Sequence, residues 1–180
     1  MLKFFLFSVK KSIDFKNFSI KIVCKWEKVV NSGMELLTGE YNNTIDEKGR
    51  ISFPAKLRQQ LNENTLVVTQ ALDHCLWLFT TEEWKNLSTK LMESASPFDA
   101  KNRLVLRRLV APAQEVEFDK SGRLSVPQSL REYANLSKDC VLLGIDKYIE
   151  LWDSETYKSY LAETESSFLD AAEGLNAIKF

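Results

Sequence analysis

The chain has 180 residues, 44% of them apolar, and a net charge of −1. That composition excludes a disordered chain and leaves room for one domain or two small ones. Three cysteines (Cys24, Cys75, Cys140) are an odd number without metal-ligand spacing, which argues against a disulfide framework or a metal centre and for a reducing compartment.

Residues 1–33 differ from the rest. They carry seven lysines against Asp14 and Glu27, so the remainder of the chain is net −6. The apolar run Phe4–Phe7 is too short to span a membrane, and no small-residue cleavage site follows it. Two readings stand: a basic arm that supplements binding, or a translation start assigned too far upstream, with Met34 the true first residue. The second is the simpler expectation.

From Glu40 the pattern becomes regular. Glu40–Ile45 reads as a strand, Asp46–Gly49 as a turn in which Asp bonds its own backbone and Gly supplies a positive φ, and Arg50–Phe53 as the returning strand. In that strand Ile51 and Phe53 share one face, Arg50 and Ser52 the other. Pro54 ends pairing and starts a helix over 55–61 whose Leu57 and Leu61 lie on one face. Thr65–Thr69 and Cys75–Phe79 read as strands, and Thr81 as the N-cap of a helix to about Met92. Ser94–Phe98 breaks the pattern, and Asp99 caps a basic helix through Val110 in which Leu104, Leu106, Leu109 and Val110 mark a buried side.

The order then recurs: strand Val116–Phe118, turn Asp119–Gly122, strand Arg123–Val126, Pro127, helix 128–133, strands Cys140–Gly144 and Tyr148–Trp152, and a last helix capped by Asp153 or Ser154. From Asp46 to Arg58, 7 of 13 positions are identical in Asp119–Arg131, at an offset of 73. Read without a gap, the offset holds as far as Leu87 against Tyr160, with 13 of 42 pairs identical, among them Val68/Val141 and Asp73/Asp146; Cys140 then matches Val67, a small core hydrophobe. A fixed offset over that length is an internal duplication. One unit alone has too little apolar surface for a stable core; two units exchanging hairpins could bury it. The expected divisions are 1–33 as an extension, 34–87 as repeat 1, 88–113 as a helical linker, 114–160 as repeat 2 and 161–180 as an acidic helical tail.

Charge follows the repeats. Residues 46–58 and 119–131 are each net +2 and residues 99–108 net +3, while the tail from Asp153 is net −4. A polyanion partner requires such patches, not a basic protein overall.

The motif Asp-x-x-Gly-Arg followed by Pro-x-x-x-Arg resembles the AbrB-like swapped-hairpin DNA-binding family. Its two copies, with Gly39 and Glu150-Leu-Trp-Asp153, are more closely similar to the MraZ family, which carries two such units in tandem; the match spans about Met34 to Tyr160. The resemblance implies an α+β, mainly β fold: a double swapped-hairpin β-barrel built by the two repeats, with flanking helices. It implies a repressor, cytoplasmic and nucleoid-associated, that binds tandem repeats in promoter DNA ahead of its own cell-division and cell-wall genes and assembles into ring-shaped homo-oligomers. Arg50 and Arg123 match the DNA-contacting arginine, and Asp46 and Asp119 the aspartate paired with it. Lys48 matches the usual turn lysine. Ser121 departs from it, so the second unit is expected to bind phosphate more weakly or to serve geometry. Residues 1–33 lie outside the family pattern.

The chemistry agrees. An arginine fork can pair two acceptors on a guanine edge or hold phosphate, and an aspartate four residues earlier could fix its rotamer. Lysines in the turns, Lys48 and Lys120, would add phosphate contacts that orient without specifying. Arg58 and Arg131 either flank DNA or pair with acids on a solvated helix face. The bland alternative for the whole motif is a well-formed hairpin with its arginines paired to carboxylates. Trp77, Trp84 and Trp152 read as core or subunit-contact residues. His74, the only histidine, abuts Cys75 in an expected strand and makes a poor metal or catalytic pair. No catalytic constellation, phosphate loop, metal motif or cofactor site is found, and neither a membrane nor a small-molecule substrate is implied. A different class also fits: an antitoxin-like protein-interaction module with an acidic C-terminal surface.

Overall fold

The computed structural model describes residues 36–174; the two readings of residues 1–33 lie outside the described residues. Each repeat builds the same series. The first holds β1 (Leu37–Thr44), β2 (Arg50–Ser52), α1 (Ala55–Leu61), β3 (Thr65–Gln70), β4 (Leu76–Phe79) and α2 (Thr81–Ser94). The basic α3 (Ala100–Val105), whose end widens into a π-helical turn at Leu106–Val110, connects it to the second. There follow β5 (Gln114–Glu117), β6 (Arg123–Ser125), α4 (Gln128–Tyr133), β7 (Asp139–Asp146), β8 (Tyr148–Asp153) and α5 (Ser154–Gly174).

Local chemistry sets these limits. Pro54 and Pro127 precede α1 and α4, and both helices run on to a left-handed asparagine, Asn62 and Asn135, each at φ 50°. The cap of α2 is Thr80, not Thr81: Thr80 Oγ1 accepts from the Glu83 amide at 3.2 Å, while the Thr81 hydroxyl donates to Glu63. Asp99 caps α3, accepting from the Lys101 amide at 2.7 Å. Asp153 begins α5 by accepting from the amides of Glu155 and Thr156.

The strands form an antiparallel six-stranded sheet in the order β1-β7-β8-β4-β3-β5 and a separate ribbon of β2 and β6. The order reads the same from either edge once repeat equivalents are exchanged. A pseudo-twofold axis therefore passes between β8 and β4, where Leu76 pairs with Leu151 and Leu78 with Ile149. It also passes between Ile51 and Leu124, which face each other in the ribbon. The edge strand of each repeat pairs into the other: β1 with β7, and β5 with β3.

The closed barrel expected from the resemblance is not formed by the hydrogen bonds. Among the described residues, strand pairing joins ribbon and sheet only at the single bridges Ile45–Ile51 and Phe118–Leu124. Beyond those bridges β1 and β5 pair with β7 and β3 while β2 and β6 pair with each other, and Pro54 and Pro127 lack the N–H to continue a ladder.

The core lies between the sheet and the ribbon with α1 and α4. Ile51, Leu57, Leu124, Leu130, Leu142 and Leu151 are among its fully buried side chains, each contributing about 1.5–3 kcal/mol of transfer free energy. A smaller cluster of Ala71, Cys75 and Trp152 sits with Trp77, Leu143 and Tyr157. On the basic segment Leu109 is buried and Thr69 Oγ1 donates to its carbonyl at 2.5 Å. Leu104, expected on the buried side, is 60% exposed, because a residue five positions before Leu109 lies well off the Leu109 face of a helix with about 3.6 residues per turn.

The gapless offset of 73 fails over one stretch. Ile45 bonds the Lys138 carbonyl and its equivalent Phe118 bonds the Asn64 carbonyl; Thr44 pairs with Asp139 and Glu117 with Thr65. Between β3 and β7 the structural offset is therefore 74, returning to 73 at β4 and β8 because the β7–β8 turn is one residue shorter than the β3–β4 turn. Val68 corresponds to Leu142, not Val141, and Cys140 to Leu66, not Val67. Side chains alternate along a strand, so the one-residue slip decides which face each occupies: Leu66, Val68, Cys140 and Leu142 all enter the main core.

Candidate nucleic-acid interface

The ribbon carries the motif arginines. In β2 and β6, Ile51 and Leu124 point inward, so their neighbours Arg50, Ser52, Arg123 and Ser125 share the outer face. Arg50 stands opposite Ser125 and Ser52 opposite Arg123, which makes the arginines diagonal neighbours, within about 7–8 Å of each other.

Each arginine is held by its own turn. Asp46 Oδ1 accepts from the amides of Lys48 (3.0 Å) and Arg50 (2.9 Å), while Oδ2 accepts from Arg50 Nε (2.8 Å) and Nη2 (2.6 Å). Asp119 is placed alike: Oδ1 takes the amides of Ser121 and Arg123, Oδ2 takes Arg123 Nε at 2.7 Å, and Arg123 Nη2 is ion-paired to Oδ2 at 2.7 Å. A guanidinium has five N–H donors in a fork. The aspartate occupies the Nε/Nη2 edge and leaves the Nη1/Nη2 edge without a protein partner among the described residues. The Arg50 side chain beside it, then the Arg50 and Lys48 amides, hold the Asp46 carboxyl down to about 2 against the pull of partial desolvation. Asp119 is lowered mainly by the Arg123 amide and next by its side chain. Carboxylate pairing of the arginines is thus real. It leaves the outer edge of each fork open, so pairing and contact with a polyanion are compatible.

The turns interlock across the repeats. The Val126 amide donates to the Gly49 carbonyl (2.9 Å) and the Phe53 amide to the Gly122 carbonyl (3.2 Å). Gly49 and Gly122 sit at φ 75° and 71°, and Arg131 lies over Gly49 while Arg58 lies over Gly122. A Cβ on Gly49 would stand 2.6 Å from Arg131 Cζ. Arg131 is half-buried and its Nε donates to the Val126 carbonyl (3.1 Å); Arg58 is exposed. Neither is ion-paired on a solvated helix face among the described residues. Lys48 and Lys120 are exposed in the turns. All eight candidate residues, Asp46, Lys48, Arg50, Arg58, Asp119, Lys120, Arg123 and Arg131, gather around one ribbon. Ser52 and Ser125, opposite the arginines, were not singled out in the sequence, although their identity in both copies was a usable signal.

Other candidates disperse. His74 lies in the β3–β4 turn at φ 47°, stacked on Tyr133 at 5.5 Å, not in a strand. Cys75 and Cys140 are buried thiols pushed up by desolvation, Cys140 to about 12. Trp152 is buried, and Trp77 and Trp84 half-buried against Phe79. Among the described residues no His, Cys, Asp and Glu group could hold a metal ion, and no helix is long and apolar enough to cross a membrane.

Known proteins share this sequence pattern along most of the chain. The family model described as "MraZ protein, putative antitoxin-like" matches residues 36–108 and again 109–177. A protein of Treponema denticola named transcriptional regulator MraZ is 55% identical over 144 residues, covering 80% of this chain and all of that protein. Proteins of the same name from two strains of Treponema pallidum, one of them Nichols, are each 49% identical over 138 residues, covering 77% of this chain and 93% of theirs.

Proposed function

The chain belongs to the MraZ family, and from that premise we propose that it is a sequence-specific DNA-binding transcriptional regulator. It represses by occupying tandem repeats in promoter DNA, ahead of its own cell-division and cell-wall genes, and acts at the nucleoid as a ring-shaped homo-oligomer. The observation that carries this reading is the ribbon's outer face: Arg50 and Arg123 lie side by side, each aimed by an aspartate and each with one donor edge open. That edge fits guanine O6 and N7 or a phosphate. Lys48, Lys120, Arg58 and Arg131 flank it as phosphate contacts. The cross-repeat pairing of β1 with β7 and β5 with β3 supports a swapped-hairpin reading of the fold. One ribbon offers few contacts; a ring presenting several ribbons to tandem repeats multiplies weak affinities.

Footprinting on the region upstream of the gene, with wild type and an Arg50→Ala/Arg123→Ala variant, tests the reading. Wild type should protect a repeated element, with affinity falling steeply with salt, and the variant should lose protection while keeping its fold and assembly. A variant that protects like wild type overturns the mechanism. The antitoxin-like alternative rests on the family description and on the acidic, largely exposed α5. A stoichiometric protein partner lost on truncation after Trp152 would favour it.

A further inference from the structure

The two ends of the ribbon are built alike in backbone and differently in charge. One end is the Asp46–Gly49 turn with Arg131 of the other repeat over Gly49; the opposite end is the Asp119–Gly122 turn with Arg58 over Gly122. At the first end the exposed turn residues are Glu47 and Lys48; at the second they are Lys120 and Ser121. Counting Asp46, Glu47, Lys48, Arg50 and Arg131, the first end is net +1. Asp119, Lys120, Arg123 and Arg58 make the second net +2. The arginines placed over the glycines also differ. Arg58 is exposed, whereas Arg131 is half-buried and tied to the Val126 carbonyl at 3.1 Å.

The pseudo-twofold axis between Ile51 and Leu124 would by itself let the ribbon dock on a duplex in either of two opposed orientations. Only the non-identical residues distinguish them. An exposed carboxylate against the phosphate backbone is repelled, whereas on a base edge it can accept from the cytosine amino group. A lysine and an exposed arginine around a turn suit phosphate.

We propose that the two ends do different work: the Lys120–Arg123–Arg58 end anchors the ribbon on phosphate, and Glu47 turns the Asp46–Arg50 end toward base edges, giving a two-fold-symmetric head a direction on its site. This rests on the DNA-binding reading above. It also reverses the expectation from Ser121 that the second unit holds phosphate more weakly, because that end has no counterpart of Glu47 and the arginine over its turn, Arg58, is exposed where Arg131 is half-buried and tied.

The test measures binding of the full chain to its footprinted repeat, and to copies with single base substitutions, as a function of salt. Each lost phosphate contact lowers the log–log salt slope by about 1 and weakens all sequences alike, whereas loss of a base contact relaxes discrimination at one position. Lys120→Ala and Arg58→Ala should each lower the slope by about 1 with base preferences kept. Glu47→Lys should raise the slope by about 1 and flatten preference at one position of the repeat. Slopes unchanged in both Lys120→Ala and Arg58→Ala, or a Glu47→Lys variant unchanged in both slope and preference, overturn the proposal. Wild type without any sequence preference overturns the DNA-binding reading itself, an outcome separate from these.

Discussion

Trp77 and Glu150 occupy equivalent positions of the two repeats and face each other across the pseudo-twofold axis, the Trp77 indole N–H donating to Glu150 Oε1 at 3.1 Å. Glu150 Oε2 accepts from the Trp152 indole at 2.9 Å as well. A symmetric pair at this point would be two tryptophans or two carboxylates. Duplication within one chain freed the two copies to become donor and acceptor.

Glu150→Leu should therefore cost about 2 kcal/mol, since the half-buried Trp77 indole and the buried Trp152 indole both lose their acceptor. Trp77→Phe, which removes one donor, should cost about 1 kcal/mol. Trp77→Glu should be worse than Trp77→Phe, because it sets like charges directly opposite one another. Urea midpoints at pH 7 rank the three variants.

Arg50→Lys keeps the charge and loses the fork. A lysine cannot donate to Asp46 from two nitrogens while presenting a planar edge outward. Specific binding should fall by about 1–3 kcal/mol relative to non-specific binding, with little change in salt slope. Titration of the promoter repeat against scrambled DNA separates the two.

The Asp46–Arg50 pair should survive mild acid. The folded Asp46 carboxyl lies at about 2, below its ordinary 3.8. Its contribution to stability is then fully present above 3.8 and is lost as pH falls through about 2. Carboxyl chemical shifts followed by NMR should show Asp46 titrating near 2, and Asp46→Asn should free the Arg50 side chain without unfolding the ribbon.

Gly49→Ala and Gly122→Ala should each destabilise by more than about 1 kcal/mol. Both glycines have a positive φ, and an arginine from the other repeat fills the space a Cβ needs. Denaturant unfolding, with hydrogen exchange at the amides of Phe53 and Val126, whose acceptors are those two glycines, gives the measurement.

Much of this was legible in the chain. The turns, the proline-started helices and the order of strands follow from short-range rules: aspartate and glycine at the turns, a missing N–H at Pro54 and Pro127, and leucines four apart in α1. The place of Asp46, Lys48, Arg50, Asp119, Lys120 and Arg123 on the two hairpins was legible too, because each lies in or beside a turn marked by local sequence. The one-residue shift between β3 and β7 was not. Val68 and Val141 are identical and keep a tidy gapless alignment, yet only Val68 enters the main core. A compensating insertion and deletion leaves almost no trace in a sequence, while in a strand it exchanges faces.

The sequence by itself determined the two copies, their elements and the arginine held by an aspartate four residues back, since the signals for each lie among close neighbours in the chain. Only the tertiary structure decided which copy each strand pairs with, and that Arg58 and Arg131 lie over the turns of the opposite repeat. The reason is physical. Nearly identical repeats offer nearly identical local signals for pairing within a copy or between copies, and the choice falls to non-local burial of Ile51, Leu124 and the sheet residues beneath them.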